Sequence, residues 1–289
     1  MTDSTALAAD ATPSSSRRPA ATGKTRRQIL GIARLELRRQ LLGGRAWITY
    51  FLAGAPTLLM LMWPLSPVPK ELAGPLEATP IYSGFFVGFL SSSIFLACLV
   101  QFMSLFRSEI IEKSLHYYFL TPLRREVLVV AKYLSALLVT TTVFLMAVAA
   151  SFLLCFSPWG LGELGTYLVD GPGLRHLVAY LGVTALACVG YGAVFLLLGQ
   201  LFRNPVVPAA VLWAWEAINF LLPAWLKKLS VIFYLKSLLP VPVDDGAFAV
   251  LTEPTPWWLS VPGLMLFTVA VLALAAWRAR TMEATYGAD

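Results

Sequence analysis

Six apolar blocks, each close to the length that crosses a lipid bilayer, constrain this chain more than any other feature. They cover about residues 47–66, 81–106, 128–156, 177–202, 205–224 and 258–277. At a rise of 1.5 Å per residue, a helix needs about 20 residues to cross a hydrocarbon core about 30 Å thick. Lipid offers backbone N–H and C=O groups no partner, and the blocks lack the alternation of a barrel, so each crossing must be helical. The expected fold class is all-α and polytopic, with six transmembrane helices. Only Arg203 and Asn204 separate the fourth and fifth blocks. Pro205 has no backbone N–H and disfavours helical geometry at Asn204, so one helix should end there and another begin.

Composition excludes the soluble alternative. The 289 residues are 58% hydrophobic and 13% charged, against about 25% charged in an average soluble domain. Mean hydropathy is +0.72. A net charge of +6 raises the question of nucleic acid, but the basic residues flank apolar blocks instead of lining a stripe, so no nucleic-acid partner is expected. Cys98, Cys155 and Cys188 all fall inside apolar blocks without metal-ligand spacing, and read as small buried hydrophobes. Residues 1–22, rich in Ala, Ser, Thr and Pro, lack the apolar core of a secretory signal and read as a disordered tail. Gly23–Thr25 (GKT) looks like the end of a Walker A loop. Arg18 stands where that motif needs its first Gly, and no strand precedes it, so the chain has no phosphate-cradling loop of its own.

Orientation follows from counting Lys and Arg. With a cytoplasmic N-terminus, seventeen lie inside and five (Lys70, Arg175, Lys227, Lys228 and Lys236) outside. This bias places both termini, including the tail at 281–289, in the cytoplasm. Residues 23–46, with Leu30, Ala33, Leu37 and Leu41 at helical spacing among arginines, read as an amphipathic helix on the inner membrane surface that ends at Gly43-Gly44.

Residues 107–127 are then a cytoplasmic excursion within a membrane domain spanning 47–280. From Glu109 to Leu120, Ile111, Leu115, Tyr118 and Phe119 share one helical face, while Glu109, Glu112, Lys113 and His116 share the other. Thr121-Pro122 suits a helix restart, with Thr as N-cap and Pro in the first turn, and Arg124-Arg125 flank the third block. The tight fourth-to-fifth turn shows that this chain can reverse in few residues, so the longer excursion reads as a contact surface.

These residues resemble the type-2 permease family of ABC transporters, whose subunits carry an acidic residue, a short amphipathic helix, (Ser/Thr)-Pro with a following basic residue, and Gly/Ala-Lys between spans two and three. The matching residues are Glu109 and Glu112, the helix to Leu120, Thr121-Pro122, Arg125 and Ala131-Lys132; Ala33–Arg39 (ARLELRR) and Leu201–Pro205 (LFRNP) extend the likeness. The usual Gly is Ala131 here. The resemblance implies a transport subunit of an exporter in the cytoplasmic (inner) membrane, without enzymatic activity of its own. Its partners would be a second permease copy and cytoplasmic ATPase subunits, and ATP with Mg²⁺ would bind in the ATPase, leaving no cofactor in this chain. The segment 109–120 would be the coupling helix, seated in an ATPase groove.

Inside the spans, Glu216 is the ionisable residue that most needs an explanation. Two readings are open: a pathway or subunit-interface residue, or a hydrogen bond to a neighbour such as Asn219 or Gln200. Gln101 and Ser91-Ser92-Ser93 are milder polar candidates, and Gly84/Gly88 form one GxxxG. Between the fifth and sixth blocks, Trp225–Pro256 is too interrupted to span and reads as short external or re-entrant helices, with Trp257-Trp258 as an interfacial anchor. An intramembrane enzyme is disfavoured, because the two histidines, His116 and His176, fall at opposite membrane faces. An ion-coupled carrier or channel is the main rival, although no internal repeat supports it.

Overall fold

The computed structural model describes residues 37–44, 46–111, 125–202, 204, 206–243 and 255–281, without the side chains of 106–111, 125–127, 220, 224, 280 and 281. Every regular element among them is helical. The principal helices are α1 (Ala46–Leu61), α2 (Pro75–Phe85), α3 (Ser91–Ile111), α4 (Arg125–Phe156), α5 (Gly160–Val169), α6 (Gly173–Leu201), α7 (Val206–Ala217), α8 (Val231–Ser237) and α9 (Trp257–Thr281). A π-turn, Phe86–Leu90, joins α2 to α3 without a break.

Four stretches are long and apolar enough to cross a membrane: Pro75–Leu105, Leu128–Val169, Gly173–Leu201 and Trp257–Ala279. They correspond to the second, third, fourth and sixth blocks, and the protein is membrane-embedded on their account. The other two blocks form shorter helices. The first stops after 16 residues, where turns lead into the proline-rich stretch from Pro64 to Pro69. The fifth stops after 12 residues, about 18 Å of rise. A 3₁₀ turn at Asn219–Leu221 follows, and Leu222 is extended (φ −76°, ψ 147°) ahead of Pro223, the backbone geometry that a following proline imposes. One continuous helix over 205–224 is therefore not what forms.

Residues 37–42 are helical and stop at Gly43, and the Tyr50 hydroxyl donates to Leu41 O at 2.9 Å, tying this piece to α1. Residues 23–36 and 45 of the amphipathic segment, residues 1–22 and 282–289 of the tails, and Glu112, Lys113, Leu115, His116, Phe119, Thr121 and Pro122 lie outside the described residues. Of the excursion 107–127, only the backbones of 107–111, with Glu109 within α3, and of 125–127, with Arg125 opening α4, are described.

Side-chain pairings fix the direction of each helix. Phe95 packs edge-on against Tyr191, and Gly199 meets the Met103 backbone, so α3 and α6 run parallel. The Tyr133 hydroxyl reaches Val189 O at 2.8 Å, and Phe152 lies beside Tyr180, so α4 runs antiparallel to α6. Gln101 bonds Thr49 while Trp63 bonds Cys155 O, so α1 runs with α4 and against α3. The end of α3, the starts of α1 and α4 and the end of α6 thus share one end of the bundle. At the other end, Ser83 donates to Val241 O, and the hydroxyls of Ser237 and Ser260 meet at 2.9 Å, which places the start of α9 there.

The helix α6 is the hub. Lipid tails are as apolar as leucine, so helix association in a membrane depends on close packing and buried hydrogen bonds. A Cβ on Gly192 would lie 2.7 Å from the Phe102 ring, and one on Gly199 would lie 2.7 Å from Met103 O. Seven residues apart, these glycines share the face that receives α3. Gly84 and Gly88, by contrast, have open space around their Cβ positions. All three cysteines are buried free thiols.

Because the neighbour of Gly199 is backbone, it cannot rotate away from an added methyl. We expect Gly199→Ala to lower the thermal unfolding midpoint in detergent, with an overpacking cost of about 1–3 kcal/mol. Gly182→Ala, where a Cβ meets nothing within 4 Å, should stay within about 0.5 kcal/mol of the parent.

Candidate functional site

The polar site is built where α7 stops. Glu216 is the penultimate residue of that helix, 6% exposed, and its carboxylate meets four donors. Oε1 accepts from Val231 N at 3.1 Å. Oε2 accepts from Ile232 N at 3.0 Å, from Ser230 Oγ at 2.7 Å and from the Tyr191 hydroxyl at 3.4 Å. An ionised carboxylate offers about four lone-pair positions, so Glu216 is well supplied by its own chain.

The first amides of a helix have no intrahelical acceptor and carry the positive end of the helix dipole. Val231 and Ile232 are the first two residues of α8. Ser230, at the N-cap position, makes no cap bond to its own helix and donates instead to the carboxylate. A residue fourteen positions upstream therefore performs the capping. The arrangement joins two partial helices: α7 rises along α6 to Glu216, opposite Tyr191, and α8 continues from that level to Ser237 beside Ser260. Together they contain 19 residues, about 28 Å of rise, close to the hydrocarbon thickness.

A cavity of about 130 Å³ lies beside the carboxylate, lined by Ser91, Ser92, Phe95, Tyr191, Trp213 and Glu216 among others. The π-turn ends at this cavity and delivers Ser91 and Ser92 to it. Interruptions of this kind are frequent at functional sites. The serine run singled out in the sequence and Glu216 are thus neighbours. Ser92 Oγ is bonded back to Gly88 O at 2.8 Å.

The other candidates are not gathered here. Gln101 lies ten residues beyond Ser91, about 15 Å along the helix; its Nε2 donates to Thr49 Oγ1 at 2.7 Å, while Oε1 has no hydrogen-bond partner. Asn219 is buried, with Nδ2 unpartnered, and it is not the partner of Glu216. Neither is Gln200, whose two amide atoms both lack partners. The expected neighbours were Asn219 on the same stretch and Gln200 on α6, whereas the observed ones are Tyr191, nine residues earlier on α6, and the start of α8. Only the interruption of Trp225–Pro256 by prolines and lysines hinted at such a helix start. Lys132, of the Ala131-Lys132 pair matched to the permease pattern, is fully buried on α4, and Lys227 is 3% exposed.

Replacing Glu216 by Ala leaves two buried amides and the Ser230 hydroxyl without an acceptor, at about 1–3 kcal/mol for each orphaned group. Glu216→Ala should therefore unfold well below the parent in detergent, whereas Tyr191→Phe, removing only the longest bond, should shift the midpoint little. Equal midpoints for the two variants would mean that the carboxylate does not hold α8.

No protein-family model matches the chain, and no curated protein or solved structure matches it.

Proposed function

We propose that this chain is the membrane-spanning permease subunit of an ATP-driven transporter of the ABC type, exporting its substrate across the cytoplasmic membrane. The observation that carries the reading is the ordered set Glu109, Glu112, Thr121-Pro122, Arg125 and Ala131-Lys132 between the second and third apolar blocks. Such a short amphipathic helix is suited to seat in a groove of a separate ATPase. Its two flanking helices are long, closely packed members of the bundle, which suits them to carry motion inward. A ligand shifts an equilibrium only by its differential affinity for the two states, and ATP bound by the ATPase subunits supplies that difference.

The full topology has six crossings with both termini in the cytoplasm. Its first and fifth crossings use the short helices α1 and α7, the latter completed by α8. Support comes from the alternating helix directions and from the sequence bias that puts seventeen of the 22 Lys and Arg in the segments assigned to the cytoplasm. A second permease copy completes the transporter.

The interrupted crossing at Glu216 favours one competing reading, an ion-coupled carrier, since such proteins place substrate and ion sites at broken helices. Purification of the tagged protein from its own cells separates the two. The permease reading expects a stoichiometric ATPase to co-purify, and its stimulated hydrolysis to be lost on combining Glu112→Lys with Leu115→Pro. Retention of both association and hydrolysis in that double variant would overturn it, and flux driven by an ion gradient without ATPase would favour the carrier.

Membrane-impermeant labelling of single cysteines offers an independent check. Positions 5, 112 and 285 should react only from the cytoplasmic side. Reaction of position 112 from outside would leave an ATPase no access to the segment.

A further inference from the structure

Hydrogen bonds satisfy Glu216 but leave its charge in place. Oε2 carries three of the donors and Oε1 only Val231 N. All of them are neutral groups: two backbone amides, a serine and a tyrosine. A carboxylate has about four lone-pair positions shared between its two oxygens, so Oε1 keeps room for a further donor. Donors without an acceptor favour the ionised form, whereas burial among neutral groups, at 6% exposure, penalises it. A cation beside the carboxylate removes that conflict.

We propose that the cavity of about 130 Å³ beside Glu216 takes the protonated amine of the transported substrate. As an amine site it stands on the geometry around Glu216. As a substrate site it rests on the transporter reading above.

The polar lining suits a group that only donates. Tyr191 gives its hydrogen to Glu216 Oε2, and Ser92 gives its own to Gly88 O. Both hydroxyls therefore offer the cavity lone pairs, and Ser91 adds a hydroxyl that can accept as well. An ammonium group carries N–H donors and no acceptor. Phe95, Tyr191 and Trp213 bring three rings to the same wall, and aromatic faces attract a desolvated ammonium.

Other occupants do less. Water fills the space and leaves the charge. A proton on the carboxylate cancels the charge, leaves the space, and sets an O–H among groups that already donate. A metal ion meets a single carboxylate, because among the described residues no three His, Cys, Asp or Glu side chains gather to hold one. Volume then sets the size of the occupant. A water needs about 10–15 Å³, and pockets for whole ligands run to about 300–1,000 Å³. The cavity lies between these limits, which suits a head group whose remainder lies outside. Trp213, 54% exposed, marks the open side.

The test uses the full chain in detergent at neutral pH, with methylammonium chloride as the probe and sodium chloride at equal concentration as the control. We expect methylammonium to raise the thermal unfolding midpoint saturably and sodium to leave it unchanged. Glu216→Gln should lose the response. Because that variant can fail to fold, Trp213→Leu and Ser92→Ala, both at partly exposed positions, provide a second arm. Each should raise the half-saturating concentration about fivefold, the weight of one cation–π contact or one hydrogen bond to a charged group. A response to sodium equal to that of methylammonium, no saturable response, or a half-saturation unmoved in both variants would overturn the site. In the complex with its ATPase, methylammonium should stimulate hydrolysis by the parent more than by Trp213→Leu; equal rates would remove the substrate role. A saturable amine response without any co-purifying ATPase keeps the site and refutes the transporter reading, and the reverse result does the opposite.

Discussion

A backbone amide left alone in hydrocarbon costs several kcal/mol, and that constraint explains where this chain can stop a helix within the membrane. Between α7 and α8, beside the middle of the apolar helix α6, a helix does stop, and the turns that follow are hydrogen-bonded. Ile218 N still reaches Ala214 O, Leu221 N and Leu222 N close a 3₁₀ turn, and Leu226 N and Lys227 N close another on Pro223 O. The start of α8 remains, and there the chain supplies Glu216. The acid that looks most costly in the sequence offsets the cost of the interruption, because an unmatched carboxylate and unmatched amides meet.

The rest of the bundle depends on how closely α6 is approached. Glycines bring α3 against it, and Gly190 admits Val231 and Leu264 from α8 and α9 at 3.0 and 3.1 Å from its Cβ position. Farther along, packing passes from small residues to rings: Tyr82 stands edge-on to both Phe152 and Tyr180, with centroids 5.1 and 5.0 Å apart. The Tyr82 hydroxyl is bonded to Val148 O and Ser151, as buried phenols require. Where neither device operates, between α6 and α7, the helices stand apart and leave an open groove.

The second, third, fourth and sixth apolar blocks were legible in the sequence because length and hydropathy alone specify a crossing helix. The start of the second was placed at Ile81 and lies at Pro75, since Pro75 and Glu77 suit a first turn that hydropathy does not register. The fifth block misled for the same reason in reverse: Phe220, Leu221 and Leu222 are apolar enough to continue a helix, but Pro223 dictates the backbone before it. The glycines that matter could have been found by their seven-residue interval on α6, whereas the Gly84/Gly88 GxxxG, a pattern too common in apolar helices to count as evidence, meets nothing within 4 Å. Glu216 was singled out correctly as a residue needing partners. Its partners were not legible, because they depend on a three-dimensional return of the chain from α7 to α8.

The π-turn at Phe86–Leu90 has a consequence for how α2 and α3 can evolve. An α-helix turns about 100° per residue, and the extra residue of a π-turn resets the phase of everything beyond it. Tyr82 and Phe86 face Tyr180, while Phe95 faces Tyr191, so two separately phased stripes are spliced into one rod. Loss of a single residue in Phe86–Leu90 would swing the outer stripe roughly a quarter-turn away from its aromatic neighbours while leaving the inner stripe seated. Length in this segment is therefore under tighter control than identity.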